Sequence, residues 1–455
     1  MFDRAINAEA FQHFKASLHG ELIGPGDDGY ENARRVWNGM VDKHPALIVR
    51  CVDVLDVMSA VRFARRHDLT VAVRGGGRSL AGHGVCDDGL VIDLSQMKGI
   101  QVDPQQRLAR AEPGLTNEEF LQATQPFGLA TTTGTAGHVG LSGLTLGGGE
   151  GWLAGRFGLT IDNLLEVEIV TADGSLFTAS TNEHPDLFWA VRGGGGNFGV
   201  VTAFTFQLHP VAQVLRGAVI HPMARAREVL HFYREYTRQG PDELSVHANL
   251  MAGPDGHPVI ILDTCYCGDD LAEGERVLAP LRTFGPPLAD LIRPMSVLEA
   301  TTLTNAFSPP GRSTYAPTEA LLSLNDEVID TVITYCTARP SPLSGVHIYH
   351  NHGAASRIKM EATAYAPRQE HYGVQMIAQW TNGEAQPYLD WANRFRAALA
   401  PFATELRYVN SLLDEGEARI RASYGPNYDR LVQIKNRYDP TNVFHINQNI
   451  KPTVK

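Results

Sequence analysis

Apolar positions in this chain follow two periods that alternate along its length. Val54, Val57, Val61 and Ala64 recur at the spacing of one helical face, and "TVAVR" follows as a short strand. Thr116 and Glu119 stand three apart at the head of "NEEFLQATQPFG", the spacing of a capping box that opens a helix. "LEVEIVTADGSLFTA" places Ala-Asp-Gly between two strand-like runs and predicts a hairpin. Together these runs predict an α+β module ending near Pro210. From about Leu215 the texture changes. The helical run "AREVLHFYREYTRQG" precedes the strands "PVIILDTCY" and "HYGVQMIAQW", with further helices between them, so a sheet covered on one face by helices is expected. The tail, "YGPNYDRLVQIKNRYDPTNVFHINQNIKP", reads as a short amphipathic helix, a proline turn and an asparagine-rich end.

Composition narrows the class. A chain of 455 residues exceeds one ordinary core, so two domains are expected. Apolar content of 43% with 20% charged residues is that of a soluble globular protein. A net charge of −11 argues against a nucleic-acid partner, which requires a basic face. The start lacks the apolar core of a signal peptide and no later run reaches membrane-spanning length, so neither export nor a membrane is expected. Five scattered cysteines form no disulfide framework and no metal-type spacing, which fits a reducing cytoplasm.

Glycine changes the picture most. "RGGGRSLAGHG", "TTTGTAGHVGLSG", "LGGGEGWLAG" and "VRGGGGNFG" all lie before residue 200. Such clusters cost entropy and pack poorly, so a fold keeps them where backbone must approach a ligand. Gly194, Gly196 and Gly199 satisfy G-x-G-x-x-G, but the strand-like "VVTAFTFQL" follows where a dinucleotide-binding helix would have to start. The clusters therefore predict main-chain N–H groups from several turns converging on one anionic ligand.

Four segments in order, "VRGGGRSLAGHGVCDDGLVIDLSQM", "GLSGLTLGGGEGWLAGRFGLTIDNLLEVEIVTADG", "HPDLFWAVRGGGGNFGVVTAFTF" and "YDPTNVFHINQNI", resemble the berberine bridge enzyme-like FAD-linked oxidases. The resemblance spans nearly the whole chain. It implies an α+β fold with a PCMH-type FAD-binding domain formed by residues 1–212 and 413–455, the C-terminal tail returning to the cofactor. Residues 213–412 would form the substrate domain, a central antiparallel sheet covered by helices. Cofactor contacts are implied for Arg74, Gly75, Gly76, Gly77, Arg78, Ser79, Gly134, His138, Gly140, Gly143, Gly147, Gly148, Gly149, Gly199 and Val201. Asn447 and Asn449 would meet the flavin's pyrimidine edge, where amides both donate and accept.

The chain departs from the family at both usual tethers. Arg78 stands where a flavin-linked histidine is usual, and Ala136 where some members carry a second, cysteine anchor. A guanidinium stays protonated and has no lone pair with which to form such a bond. His83 lies five residues on, up to about 16 Å along an extended chain, and is a poor substitute. FAD is therefore expected to bind non-covalently, with Arg78 stacking on it or pairing with an acidic group. Gly134, at the position that gates oxygen in relatives, leaves room for dioxygen.

The family implies Tyr408, in "LRYVNSLLDEG", as the base. An ordinary phenol, with a pKa near 10, would need a nearby positive charge for that role. The glutamate used by alkaloid-oxidising relatives is replaced by Ala362, and neighbouring Glu361 would point to the opposite face of a strand. In "HIYHNHGAAS", His350 and His352 would share a face, with His347 on the other, which argues against a metal site. His350 or His352, and less strongly Tyr365, are candidate acid–base groups in the pocket. The implied reaction is oxidation of a small alcohol, phenol, amine or sugar-like substrate by dioxygen, in secondary metabolism or catabolism, by a monomer or homodimer. A cyclase or isomerase with a structural or vestigial flavin is the alternative, and product mass separates the two.

Overall fold

Period-two alternation builds the largest layer. In the computed structural model, which describes residues 8–253 and 255–454, nine strands form one antiparallel sheet. Its main path runs Ala289–Asp290, Val214–Pro222, Pro258–Tyr266, Leu244–Ala252, Gly345–Asn351, His371–Trp380 and Ser313–Tyr315. Arg293–Met295 and Thr318–Leu321 pair beside Val214–Pro222 and His371–Trp380. Val246, Ala248, Ile348, Val374 and Met376 point to one face and pack with Val229 and Tyr233 of helix Ala226–Gln239, Val332 of Asp326–Thr337 and Phe395 of Gln386–Leu399. Burying such a side chain is worth about 1.5–3 kcal/mol, so the helix-covered face fixes the register. The intervening positions, including His247, His347, Tyr349 and Gln375, are thereby turned to the opposite face, where a cavity lies.

Below that cavity stand two smaller sheets. Leu47–Arg50, Leu90–Asp93 and Val71–Arg74 run parallel, with Glu21–Ile23 antiparallel at the edge. Helix Val54–Arg66 buries Val57, Val61 and Ala64 against Val49, Val71 and Ile92, and Asp53 caps it by accepting the Leu55 and Asp56 N–H groups. The second sheet is antiparallel, in the order Ile100–Asp103, Leu108–Ala111, Val200–Gln207, Leu164–Val170 and Leu176–Ser180. The run after the G-x-G-x-x-G glycines is thus a strand. The capping box forms at the start of helix Asn117–Thr124, with the Thr116 side chain accepting the Glu119 N–H and Glu119 returning to the Thr116 N–H.

One expected strand is absent. "KMEATAYAPRQ" makes a 3-10 turn over Met360–Ala362 and continues irregularly to His371. The Glu361 carbonyl accepts the Trp189 indole N–H and the Ala362 carbonyl accepts from Arg192, so these groups are held by the helix Pro185–Val191 and the residue following it, not by a strand ladder. The strand argument for Glu361 therefore does not apply.

The tail helix Tyr428–Tyr438 is pinned through Lys435. Its fully buried ammonium donates to the Asn197 and Phe444 carbonyls and to Asp439 Oδ2, at 2.8, 2.9 and 2.6 Å. All five cysteines are free and buried. No helix among the described residues is long and apolar enough to cross a membrane.

Candidate active site

The two layers enclose a cavity of about 540 Å³, within the usual range for a ligand or cofactor site. Its floor is made by the glycine turns. Gly75, Gly76, Gly77, Arg78 and Ser79 border it, as do Gly134, Gly140, Gly143, Gly199 and Val201. The N–H groups of Gly76 to Ser79 meet no acceptor among the described residues. A Cβ added at Gly143 or Gly196 would meet nothing within 4 Å, so both glycines face open space. Arg74 borders the cavity but is buried in an ion pair, its Nη2 2.7 Å from Asp93 Oδ2. From the tail, Asn447 donates to the Phe444 carbonyl at 3.1 Å, while its Oδ1 is buried without a partner. Free amides, open space and an orphaned acceptor are what a flavin nucleotide would require, so the residues present fit FAD.

Several residues implied as cofactor contacts lie elsewhere. Gly147, Gly148 and Gly149 do not border the cavity; they seat side chains. Gly148, at φ +138°, would bring a Cβ to 2.7 Å from Tyr365 Cδ2 and 3.3 Å from Tyr408 Cε2, while Gly147 and Gly149 pack on Asn410 and Thr160. His138 sits behind the floor with Nδ1 2.8 Å from Asn305 Oδ1, and its Nε2 is buried and unpartnered. Asn449 is also outside the lining, with an unpartnered Oδ1.

Arg78 extends along the cavity wall. Its guanidinium lies 4.1 Å from the Trp37 ring centre and donates to Ser308 Oγ at 3.0 Å. It has no carboxylate partner among the described residues, and burial lowers its pKa to about 10, which leaves it charged at neutral pH. His83 borders the same space, and burial pushes its imidazole down to about 4.

The roof presents uncharged polar groups. His347 Nε2 lies 3.1 Å from His247 Nδ1, and His247 stacks on Trp152 at 4.3 Å. Burial holds both imidazoles neutral, His347 near 4. His350 and His352 stack on each other at 4.9 Å and also border the cavity. His350 belongs to the helix-covered face, stacked at 4.4 Å on Tyr372 with Nε2 2.9 Å from Glu370. Burial, with His352 and His371 close by, pushes its imidazole to about 3, and the solvent-screened Glu370 carboxylate does not reverse that. His347 is therefore the histidine of the run that the sheet turns inward. The three do not converge.

At one end of the cavity stands a carboxyl–phenol cluster. The Tyr408 oxygen accepts the Gly149 N–H at 3.2 Å and an Asn410 Nδ2–H at 2.9 Å, with the Glu150 N–H close by. Tyr365 lies behind the cavity wall, its ring 5.9 Å from that of Tyr408, and donates its hydroxyl to Glu150 Oε1 at 3.0 Å. Tyr349, on the roof, faces the same carboxylate. Burial raises the Glu150 pKa to about 7, against the lowering effect of the Tyr365 and Tyr349 hydroxyls. Burial, and next the Glu150 charge, raise that of Tyr408. The cation expected beside Tyr408 is absent among the described residues; N–H donors take its place. Glu150, Tyr349 and Tyr424, whose buried hydroxyl borders the cavity unpartnered, were not marked by any sequence motif. A signal for Tyr349 does exist. Gly373 stands opposite it in the ladder, and a Cβ there would overlap the Tyr349 ring.

Comparison with known proteins bears on the family and the fold. Residues 45–180 match the FAD binding domain family and residues 407–451 the "Berberine and berberine like" family. An FAD-linked oxidoreductase of Bacillus subtilis is 32% identical over 446 residues, covering 96% of this chain and 98% of the relative. (R)-6-hydroxynicotine oxidase of Paenarthrobacter nicotinovorans is 29% identical over 454 residues, covering 96% and 97%. The crystal structure of 6-hydroxy-D-nicotine oxidase from Arthrobacter nicotinovorans superposes with a TM-score of 0.87 at 29% identity, covering 96% of this chain and 98% of that one.

Proposed function

This chain belongs to the berberine bridge enzyme-like family of FAD-linked oxidoreductases, and from that premise we propose that it is an oxidase of a hydroxyl-bearing small molecule, with dioxygen as acceptor. The observation that carries this reading is the Tyr408 hydroxyl, which borders the cavity with its oxygen fixed by the Gly149 and Asn410 N–H groups. FAD, when bound, supplies the two-electron acceptor and the route onward to dioxygen.

The remaining work falls to side chains. Tyr408 takes the proton from the substrate hydroxyl, and the N–H donors receive the charge of its phenolate. His247, His347 and Gln375 orient the substrate's other oxygens with uncharged donors and acceptors. On this reading residues 1–212 and 413–455 hold the cofactor and residues 213–412 the substrate. Arg78, stacked on Trp37, offers no bond to the flavin, and Ala136 offers none from the second position. FAD is held non-covalently by main-chain amides and the tail.

Oxidase chemistry is tested by reducing the protein anaerobically and mixing it with air-saturated buffer. Reoxidation at least as fast as turnover is expected. Reoxidation far slower than turnover with an artificial acceptor contradicts the oxidase assignment.

A further inference from the structure

Tyr408 has donors to receive a phenolate but no cation to create one. Its phenol is buried, and the charged side chain that acts on it is an acid, Glu150. An internal proton acceptor resolves this. We propose that Glu150 is that acceptor: it takes up the proton that Tyr408 gives away, so that the single negative charge of the cluster moves from the carboxylate to the phenolic oxygen facing the cavity.

The proposal rests on the placement of Tyr408 given above, and on three further observations. Glu150 borders the cavity one residue after Gly149, so the backbone that supplies the N–H donors to Tyr408 also carries the carboxylate. Tyr365 donates directly to Oε1, and Tyr349 faces the same carboxylate from the roof. The Glu150 carboxylate is close enough to Tyr408 for its charge to act on the phenol, so the two groups share one buried cluster. The other charged groups do not neutralise the carboxylate. Arg368 lies 5.1 Å from the Tyr365 ring centre, but both its terminal nitrogens are bonded at 2.7 Å to Asp162. Asn410, on the Tyr408 side, is uncharged.

Protons balance across the cycle. In the resting form Glu150 is ionised and the three phenols are protonated. Transfer within the cluster gives a neutral Glu150 and a Tyr408 phenolate, with no change in total charge. The substrate O–H bond then breaks as the Tyr408 O–H bond forms, and the adjacent C–H bond breaks with its hydride passing to the two-electron acceptor that bound FAD would supply. One proton is finally lost from Glu150 to solvent, restoring the carboxylate. The cluster titrates as a unit, and because burial raises the carboxyl to about 7, the active charge state is gained as pH rises through neutrality.

Glu150→Gln tests this without altering side-chain size. The expected loss in kcat at neutral pH is at least about 10²-fold, with the acidic limb of the profile displaced to higher pH. A lower kcat with an unmoved limb overturns the proposal. Infrared titration of the protein gives a second readout independent of turnover. A protonated-carboxyl C=O stretch fading with a midpoint near neutrality, and missing in Glu150→Gln, is expected; its absence from the unmutated protein overturns the proposal. Thermal unfolding checks that the variant folds and gives a sign. A carboxyl whose pKa is raised on folding stabilises below its unfolded pKa, and that contribution is lost as pH rises through the folded value. The fall in Tm between pH 5 and pH 8 should therefore be smaller in Glu150→Gln. The infrared result does not depend on which acceptor takes the electrons, so failure of the oxidase assignment and failure of the Glu150 assignment are distinguishable.

Discussion

Tyr408→Phe is expected to lower kcat by about 10²–10⁴-fold, the usual contribution of a positioned proton-transfer group. The ring packs against Tyr365 and against Gly148, and phenylalanine preserves that packing. The loss should therefore fall on kcat, with a small change in KM and no change in bound flavin. Removing the oxygen leaves the Asn410 amide, which donates to it at 2.9 Å, with the Gly143 and Leu144 carbonyls still in reach, so the local structure has alternative bonds. Steady-state kinetics across pH provide the check. A variant with kcat within a few-fold of the original would remove Tyr408 from the chemistry.

Lys435→Met carries the second large effect, on stability. The ammonium and the Asp439 carboxylate are both fully buried, and Asp439 also accepts the Val443 and Phe444 N–H groups at 2.8 and 2.9 Å. Breaking one partner of a buried pair leaves the other charge uncompensated, at a cost of about 3–5 kcal/mol. Against a total stability of about 5–15 kcal/mol, that is a large fraction. The damage is also directional. Lys435 ties the tail helix to Asn197 and Phe444, and Asn197 in turn accepts the Ile450 N–H at 2.9 Å and donates to the Gln448 carbonyl. Phe444, Asn447 and Gln448 border the cavity, so flavin affinity should fall together with Tm. Adding Asp439→Asn to Lys435→Met should recover part of the loss, because the stranded charge is then removed. Denaturant unfolding of the two single variants and the double variant measures both effects.

Much of the fold was legible because its signals are local. The helix Val54–Arg66, the capping box at Thr116, the hairpin around Ala-Asp-Gly and the strands Pro258–Tyr266 and His371–Trp380 each announce themselves within about fifteen residues. The segment after Lys359 misled because the strand was carried over from the relatives' pocket, while here its carbonyls are claimed by Trp189 and Arg192, about 170 residues earlier. The site was only half legible for a related reason. Clustered glycines reveal that something approaches the backbone, not what. Gly75 and Gly76 border the cavity, yet a Cβ there would meet Ser142 and the Gly140 backbone, and at Gly147 to Gly149 the close neighbours are Asn410, the two tyrosine rings and Thr160. Glu150 lies inside a glycine run where a charge reads as a solvated turn. Only tertiary structure brings Tyr365, 215 positions away, onto its carboxylate.

The visible spectrum of the gently purified protein, taken before and after acid precipitation, tests the central claim most directly. Flavin absorbance in the native sample, then a colourless pellet under a yellow supernatant, is the expected result. A yellow pellet would contradict the unattached cofactor. A native protein with no flavin bands that also fails to bind added FAD would contradict the site itself.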